Sequence, residues 1–583
     1  ASSAAIYGSR APYGVVLITT KTGGTGKFNI SYNGMVAFNR PANHFELISN
    51  YADYMELMNE SAENIDGTLP FSQAMIDLWR EKEKDPNGIA DSGYPNYVAY
   101  PNTDWMKAMF ENNVYHKHNL SASGSSGGTK YLMSFSYVNN PGVVARTGTE
   151  RFQLRTNVSS QVTKWLEIGT KLWGYEGTRE LNDFGGASDY MSRATPGIYP
   201  YYDGKYGWVE NPEQGSSSRN NLYFINRFGG EERSHYVNAA VFANVKLPYR
   251  IRYNVSFNYA RSSSEHRFYG KTCNAFSFSK NDWAYRYEDL SKLKLTQTDR
   301  GTYRWTFQNN LSWDYTFAEK HDLTVLAGFE AMYSNTSNFK AQKTGFAQDK
   351  LVEFDTATTV TSIDGTQTDF ATASFFGRLT YAYDNRYLFE TNLRYDGSSR
   401  FARKSRWGIF PSVSAGWRIS EEPFFGNAKD LVDNLKLRAS FGSLGNQNVS
   451  SYYTYMRLIT NKDFSNYTFD GSIKGKYSSL GAPVASDLTW ETAQQWDLGL
   501  DLTMLNNRLN FTGDVYIRDT KDMLTDGMAL PGVYGADSPS MNSAELRTKG
   551  YELSVSWRDQ FKLAGKPFEY SVGFNLSDYK SVI

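Results

Sequence analysis

Three stretches of the sequence hold residue types that carry chemistry in other settings, and spacing decides what each can do here. Thr22–Phe28 reads TGGTGKF, with the glycines and lysine of a phosphate loop. Such a loop needs G-x-x-x-x-G-K followed by Ser or Thr, whose hydroxyl holds magnesium. Phe28 stands where that hydroxyl would be, so the run reads as a flexible hinge. His116 and His118 lie two apart and would share one face of a strand, as zinc-binding imidazoles can. No cysteine lies close by to complete a site, and the pair reads as polar residues, exposed or lumenal. The third stretch is a crowd of aromatics, Tyr199, Tyr201, Tyr202, Tyr206 and Trp208, echoed by Tyr452, Tyr453 and Tyr455. The sequence contains no nucleophile elbow, zinc-protease helix or paired-carboxylate motif. No enzyme, cofactor or metal site is expected.

The elements that must position these residues are strands. Aromatics make up 16% of the 583 residues, with 42 Tyr, 36 Phe and 13 Trp, and such side chains favour half-buried pleated surfaces. Basic and acidic residues number 61 each, so no positive excess draws the chain to nucleic acid. The single cysteine, Cys273, rules out an intrachain disulfide and says little about compartment. Mean hydropathy is −0.55, and no apolar run approaches the roughly 20 residues of a spanning helix. That excludes helical membrane proteins only, because a membrane barrel alternates lipid-facing with water-facing residues.

Period-two alternation dominates. Phe28, Ile30, Tyr32, Val36 and Phe38 oppose Asn29, Ser31, Asn33 and Asn39. Tyr303, Trp305, Phe307, Leu311, Trp313 and Tyr315 oppose Arg304, Thr306, Gln308, Asn310, Ser312 and Asp314. About seventeen such segments approach the ~10 residues of a tilted membrane strand, longer than the ~5–6 residues usual in soluble strands. The connections alternate between long and short. Residues 40–114, 177–236, 261–302, 335–372 and 445–489 are long, whereas the links at Pro248-Tyr249, Ala318–Lys320, Asp384–Arg386 and Met504–Asn507 are tight. Outer-membrane barrels have long outer loops and short periplasmic turns, which a soluble sandwich has no reason to imitate. The link Glu421–Asp433 is longer than that rule wants. Helical spacing over Tyr51–Glu63 and Phe71–Lys84 predicts a small cap in the first long loop, packed on itself.

Several runs together resemble the SusC/RagA family of TonB-linked outer-membrane transporters. They are ASSAAIYGSRAPYGVVLITTK at Ala1–Lys21, RYDGSSRF at Arg394–Phe401 with WGIFPSVSAGWR at Trp407–Arg418, LKLRASFGSLGNQN at Leu435–Asn448, LTWETAQQWDLGLD at Leu488–Asp501 with LNNRL at Leu505–Leu509, and TKGYELSVSW at Thr548–Trp557. The likeness covers the chain in order. It implies an all-β fold, a transmembrane antiparallel barrel with long extracellular loops and an internal plug. Residues 1–24 would be the C-terminal end of the plug, its last strand, and residues 25–583 the barrel. Barrels of the family have 22 strands, wide enough to need a plug. The roughly seventeen counted here are an odd number where single-chain bacterial barrels use an even one. On that reading the segment lacks its C-terminal strands, most of the plug and the upstream box that recruits TonB. Strand one would run outward, and the last strand with it.

The resemblance further implies active import of oligosaccharides, or in some members peptides, across the bacterial outer membrane. Energy would come from TonB with ExbB and ExbD, and a SusD-like lipoprotein would sit over the barrel as a lid. On that basis Tyr199, Tyr201, Tyr202, Tyr206, Trp208, Tyr452, Tyr453 and Tyr455 are ligand candidates, since aromatic faces stack on sugar rings and phenols add hydrogen bonds. The alternative is that they pack the loops against themselves or the lid. Arg10 is the candidate for seating the plug, through a carboxylate of the barrel wall. Arg155, Arg252, Arg304 and Glu390 are expected in hydrated networks of the wall. Two other classes compete: a TonB-dependent receptor for an iron chelate or cobalamin, and a soluble carbohydrate-binding β-protein.

Overall fold

The computed structural model describes the chain except residues 1–5, 9–13, 25, 43–45, 66, 186–190, 192–193, 211–219, 450–451, 454, 470–472, 485–487, 528 and 536–537. One antiparallel sheet of 17 strands dominates it. In chain order these are β1 Asn29–Asn39, β2 Asn113–Ser126, β3 Thr129–Asn140, β4 Thr149–Gln161, β5 Leu166–Glu180, β6 Phe228–Lys246, β7 Ile251–Gly270, β8 Lys294–Phe317 and β9 His321–Phe346. The series continues with β10 Ala357–Tyr383, β11 Tyr387–Ser398, β12 Trp407–Arg418, β13 Val432–Asn446, β14 Glu491–Met504, β15 Leu509–Asp526, β16 Ser540–Leu563 and β17 Lys566–Val582. Every strand pairs with its neighbour in sequence, so the sheet is a pure up-and-down meander.

Register carries the alternation from strand to strand. Val241 faces Phe257, which faces Phe307, which faces Ala331. One residue along, Phe242, Ser256, Gln308 and Glu330 form the matching row on the opposite face. The first face is apolar and exposed: Val241 is 55% and Phe257 41% accessible. Aromatics bound this belt. Tyr259, Tyr303, Trp305, Tyr333, Tyr395 and Trp407 mark its outer edge, with Tyr395 and Trp407 stacked at 4.8 Å. Trp313, Tyr315, Phe317, Tyr383 and Tyr387 mark the edge at the short turns. The ten steps from Tyr303 to Trp313, at ~3.3 Å each and a tilt near 40°, span about 25 Å, the height of a lipid-facing band.

The tight links have the chemistry that sharp hairpins require. Asp384 and Asn385 join β10 to β11 with φ of 49° and 55°, the left-handed pair of a type I′ turn, where Asp and Asn are tolerated. The longer link at Glu421–Asp433 holds two short 3₁₀ turns, Ile419–Glu421 and Pro423–Ala428.

Several expectations differ from the structure. Residues 261–302 and 335–372 are not single long loops: β7 continues to Gly270 and β8 starts at Lys294, while β9 continues to Phe346 and β10 starts at Ala357. Beyond the belt both faces of a strand meet water, so alternation fades while the ladder continues. Gly14–Gly24 carries no ladder pairing, with Val16, Leu17 and Ile18 88%, 73% and 81% accessible. A strand needs a hydrogen-bonded neighbour, and none lies beside it among the described residues.

A cap covers the outer end. Helix α1 spans Tyr51–Glu63 and α2 spans Gln73–Glu83, capped by Asn50 and Ser72, whose side chains accept from Asp53 N and Met75 N. Tyr51, Met55, Phe71, Ile76 and Trp79 pack between them. Helices α3 Asn96–Ala99, α4 Trp105–Met109 and α5 Asn221–Asn226 were not legible as helical spacing, being too short to show a period. A small sheet of Tyr206–Gly207, Cys273–Ser277 and Asp282–Tyr287 completes the cap.

Candidate functional site

The aromatic crowd lies in the cap. Tyr199 and Tyr202 meet Phe278 edge-on at 6.2 and 6.1 Å, in a cluster with Tyr94, Val98 and Phe276. Tyr206 and Trp208 pack on Tyr223, Cys273 and Ala275, and Trp208 stacks on Tyr285 at 5.2 Å. Each edge or stacked contact adds about 0.5–1.5 kcal/mol beyond area burial. Burial pushes the Tyr206 hydroxyl up to about 12. Tyr201 is the most open of the five, 49% accessible, with its ring 4.9 Å from Tyr206.

The second set lies at the rim. Arg400 stacks its guanidinium 4.3 Å from the Phe370 ring and 4.5 Å from Tyr452, while Nη1 donates to the Gln447 carbonyl at 3.0 Å. Tyr453 Oη donates to Asp369 Oδ1 at 2.8 Å and accepts from its backbone N–H at 3.1 Å. Tyr455 is half-buried beside them.

A buried carboxylate fastens the cap. Glu210 is 2% accessible and accepts from Ser277 Oγ at 2.5 Å, Ser279 Oγ at 2.6 Å and the Phe278 N–H at 2.8 Å. Burial pushes its carboxyl above the usual range, and these donors pull it part of the way back. A raised acid favours the protonated form in the folded cap. Cap stability is therefore fullest at low pH and falls as pH rises through the raised Glu210 value. Glu210→Ala strands four donors, the Ser279 N–H at 3.3 Å included, and should cost about 1–3 kcal/mol; Glu210→Gln should flatten the pH dependence. Cys273 supplies the readout. Burial pushes its thiol up to about 12, so maleimide labelling requires cap opening; it should be faster in Glu210→Ala than in the native protein at any one pH, and should rise more steeply with pH in the native protein than in Glu210→Gln, where only thiol ionisation remains.

The polar face of the sheet is a connected wall. Arg252 pairs with Asp314 and reaches Ser312 Oγ at 3.4 Å. Asn254 donates to Asn310 at 2.9 Å. Asn392 donates to Glu390 Oε1 at 3.0 Å, and Arg155 lies 5.7 Å over Trp173. Arg304 shares this face, opposite Ala260 and Ser334. Arg438 grips Asp501 through two 2.9 Å bonds and Asp514 at 2.9 Å.

The N-terminal segment is seated on this wall. Arg394 Nη1 donates to the Ile6 carbonyl at 2.7 Å, and Asn157 Nδ2 donates to the Lys21 carbonyl at 2.7 Å. Gly8, at φ +74°, lies so close that a β-carbon there would stand 2.3 Å from Arg394 Nε. Arg394 is itself held by Asp396 at 2.6 Å, with only 6% and 2% of the two side chains accessible. Arg10 lies outside the described residues. Sequence reasoning missed Arg394 as a seat, although an Arg and an Asp two apart on a strand already shared one face.

His116 and His118 stand on the apolar face rather than the inner one, opposite Val36 and Gly34. Tyr32 Oη and His118 Nδ1 are 2.7 Å apart. Among the described residues, no group of three metal-ligating side chains forms.

An antiparallel meander with a greasy outside, a wet inside, an aromatic girdle at each edge and a tail seated on its inner wall is an outer-membrane β-barrel. The chain matches the family described as "TonB dependent receptor-like, beta-barrel" over residues 174–581, and it belongs to that family. Within it the chain is of the SusC/RagA type. It is 29% identical over 95% of its length to TonB-dependent receptor P26 of Formosa agariphila, covering 53% of that protein. It is 27% identical over 99% to TonB-dependent receptor SusC of Bacteroides thetaiotaomicron, covering 55%. The fold matches the RagAB peptide transporter with TM-score 0.79 at 24% identity, over 99% of this chain and 64% of that one. The chain thus spans about half the length of the curated relatives it matches. Its place is the bacterial outer membrane, which removes the soluble-protein reading.

Proposed function

We propose that the whole protein imports oligosaccharides or peptides actively across the outer membrane, with a SusD-like surface lipoprotein as lid and TonB, ExbB and ExbD as the energy source. The observation that carries this reading is the seated segment. A wall that grips Ile6 and Lys21 by their backbone carbonyls fits a plug that must be pulled off its contacts to open a path. Two findings support it: one relative is SusC, and the RagAB fold match is a peptide importer described in an open-open state. Residues 1–24 serve as the end of the plug and residues 25–583 as barrel. The aromatic cap lies where a lid would meet the barrel, with Tyr201 as its open face.

The test is uptake by cells carrying the full-length receptor, using fluorescent oligosaccharides and peptides. Uptake should vanish on deleting the receptor, on deleting TonB and on dissipating the proton gradient. Uptake that survives loss of TonB would mean a passive pore and end this reading.

A further inference from the structure

On the inner face beneath the cap, β2–β6 line an open cavity of about 460 Å³ whose lining includes Tyr115, Arg151, Tyr175, Arg179, Glu232 and Ser234. Register explains the space. Arg151 stands opposite Gly177, and Gly177 opposite Ser234, so the middle of the row carries no side chain. A β-carbon on Gly177 would already touch Arg151 Cγ at 3.7 Å. Arg179 is neutralised by Glu232 at 2.6 Å. Arg151 is not: its guanidinium lies 5.5 Å over the Tyr175 ring, and among the described residues no carboxylate bonds to it. Lys117 shares its row, across Val138. Tyr175 is braced from behind, stacked on Tyr236 at 5.7 Å and 13°.

We propose that this cavity is a subsite for an acid-bearing sugar residue of an oligosaccharide, with Arg151 taking the carboxylate or sulfate and Tyr175, beside it in the lining, bounding the sugar ring. The inference rests on the import reading and names the ligand class within it. A guanidinium offers a planar fork of donors matched to an oxyanion, and a tyrosine held beside it offers an apolar edge and a hydroxyl to the sugar. A peptide fits less well. Extended peptides are recognised through free strand edges, and here the backbone of β2–β6 is consumed by its own ladder.

The experiment is calorimetry on the full-length receptor in detergent. The probes are oligogalacturonides, the same chains methyl-esterified, a sulfated galactan oligosaccharide and an oligoglutamate peptide. Oligogalacturonide or sulfated galactan should bind at least about tenfold more tightly than the ester, the value of one charge-assisted contact. The better of the two identifies the acid group. Arg151→Gln should erase the preference, Arg151→Lys should restore part of it, and Tyr175→Ala should weaken both charged and esterified sugars. Retention of compact migration on unheated gels confirms that each variant folds. Equal binding of acid and ester, an unchanged preference in Arg151→Gln, or preference for the peptide overturns the subsite. Those results leave the import reading standing, which falls only on TonB-independent uptake.

Discussion

Replacing Arg394 with alanine is expected to cost about 3–5 kcal/mol and to release the segment seated on the inner wall. The size follows from what is left behind. Asp396 is 2% accessible and bonded to Arg394 at 2.6 Å, so the substitution takes a charge-assisted contact from a carboxylate in a place with little water. Removing one partner of a buried pair costs that much because the remaining charge loses compensation that water cannot replace. The Ile6 carbonyl loses its donor as well, and the Phe376 ring loses the guanidinium 5.2 Å above it. Replacing both residues, as Arg394→Ala with Asp396→Ala, should recover part of the stability without recovering the seat, since the buried charge has gone and the donor has not returned. Two readouts separate these effects. The temperature at which the full-length barrel loses compact migration reports stability, and protease cleavage within residues 14–24 reports release. Cleavage unchanged in both variants would mean that Arg394 does not hold the segment.

That pair also shows how far the sequence could be read. Arg394 and Asp396 share a strand face with Glu390, which was expected in the wall, and period two laid out the strands because within the belt each strand's two faces meet different solvents. What the period does not contain is the third partner. Ile6 is 388 positions away from Arg394, and nothing local marks its carbonyl as a ligand. The cap was hidden for a related reason. Tyr199 and Tyr202 read as free aromatic faces, but Tyr94, Phe276 and Phe278, which arrive from two other loops, cover much of them. Arg151 and Tyr175 meet across a strand pair, 24 positions apart, and only register reveals the glycine that leaves room beside them. α1 was legible to its ends because thirteen residues complete several turns; α3, with four, completes barely one.

Val241→Arg should abolish assembly or cost about 2–4 kcal/mol, the penalty for a charge near the lipid midplane of a barrel. Val241 sits in a row with Phe257 and Phe307, and Phe307 lies inside the band that Tyr303 and Trp313 bound. An arginine there has no water within reach and must stretch past a full girdle to find it. Ser256→Arg introduces the same residue one strand over and on the other face. Its row holds Gln308, which donates to Glu330, so the new guanidinium finds water, an amide and a carboxylate, and its net effect should be under about 1 kcal/mol. Charge, size and helix-free backbone are alike in the two variants; the face of the sheet is what differs. Urea-driven folding of the full-length barrel into lipid vesicles gives both numbers. Equal penalties would mean that the two faces do not meet different solvents, and with that the membrane barrel, the wet lumen and the seat within it would all lose their basis.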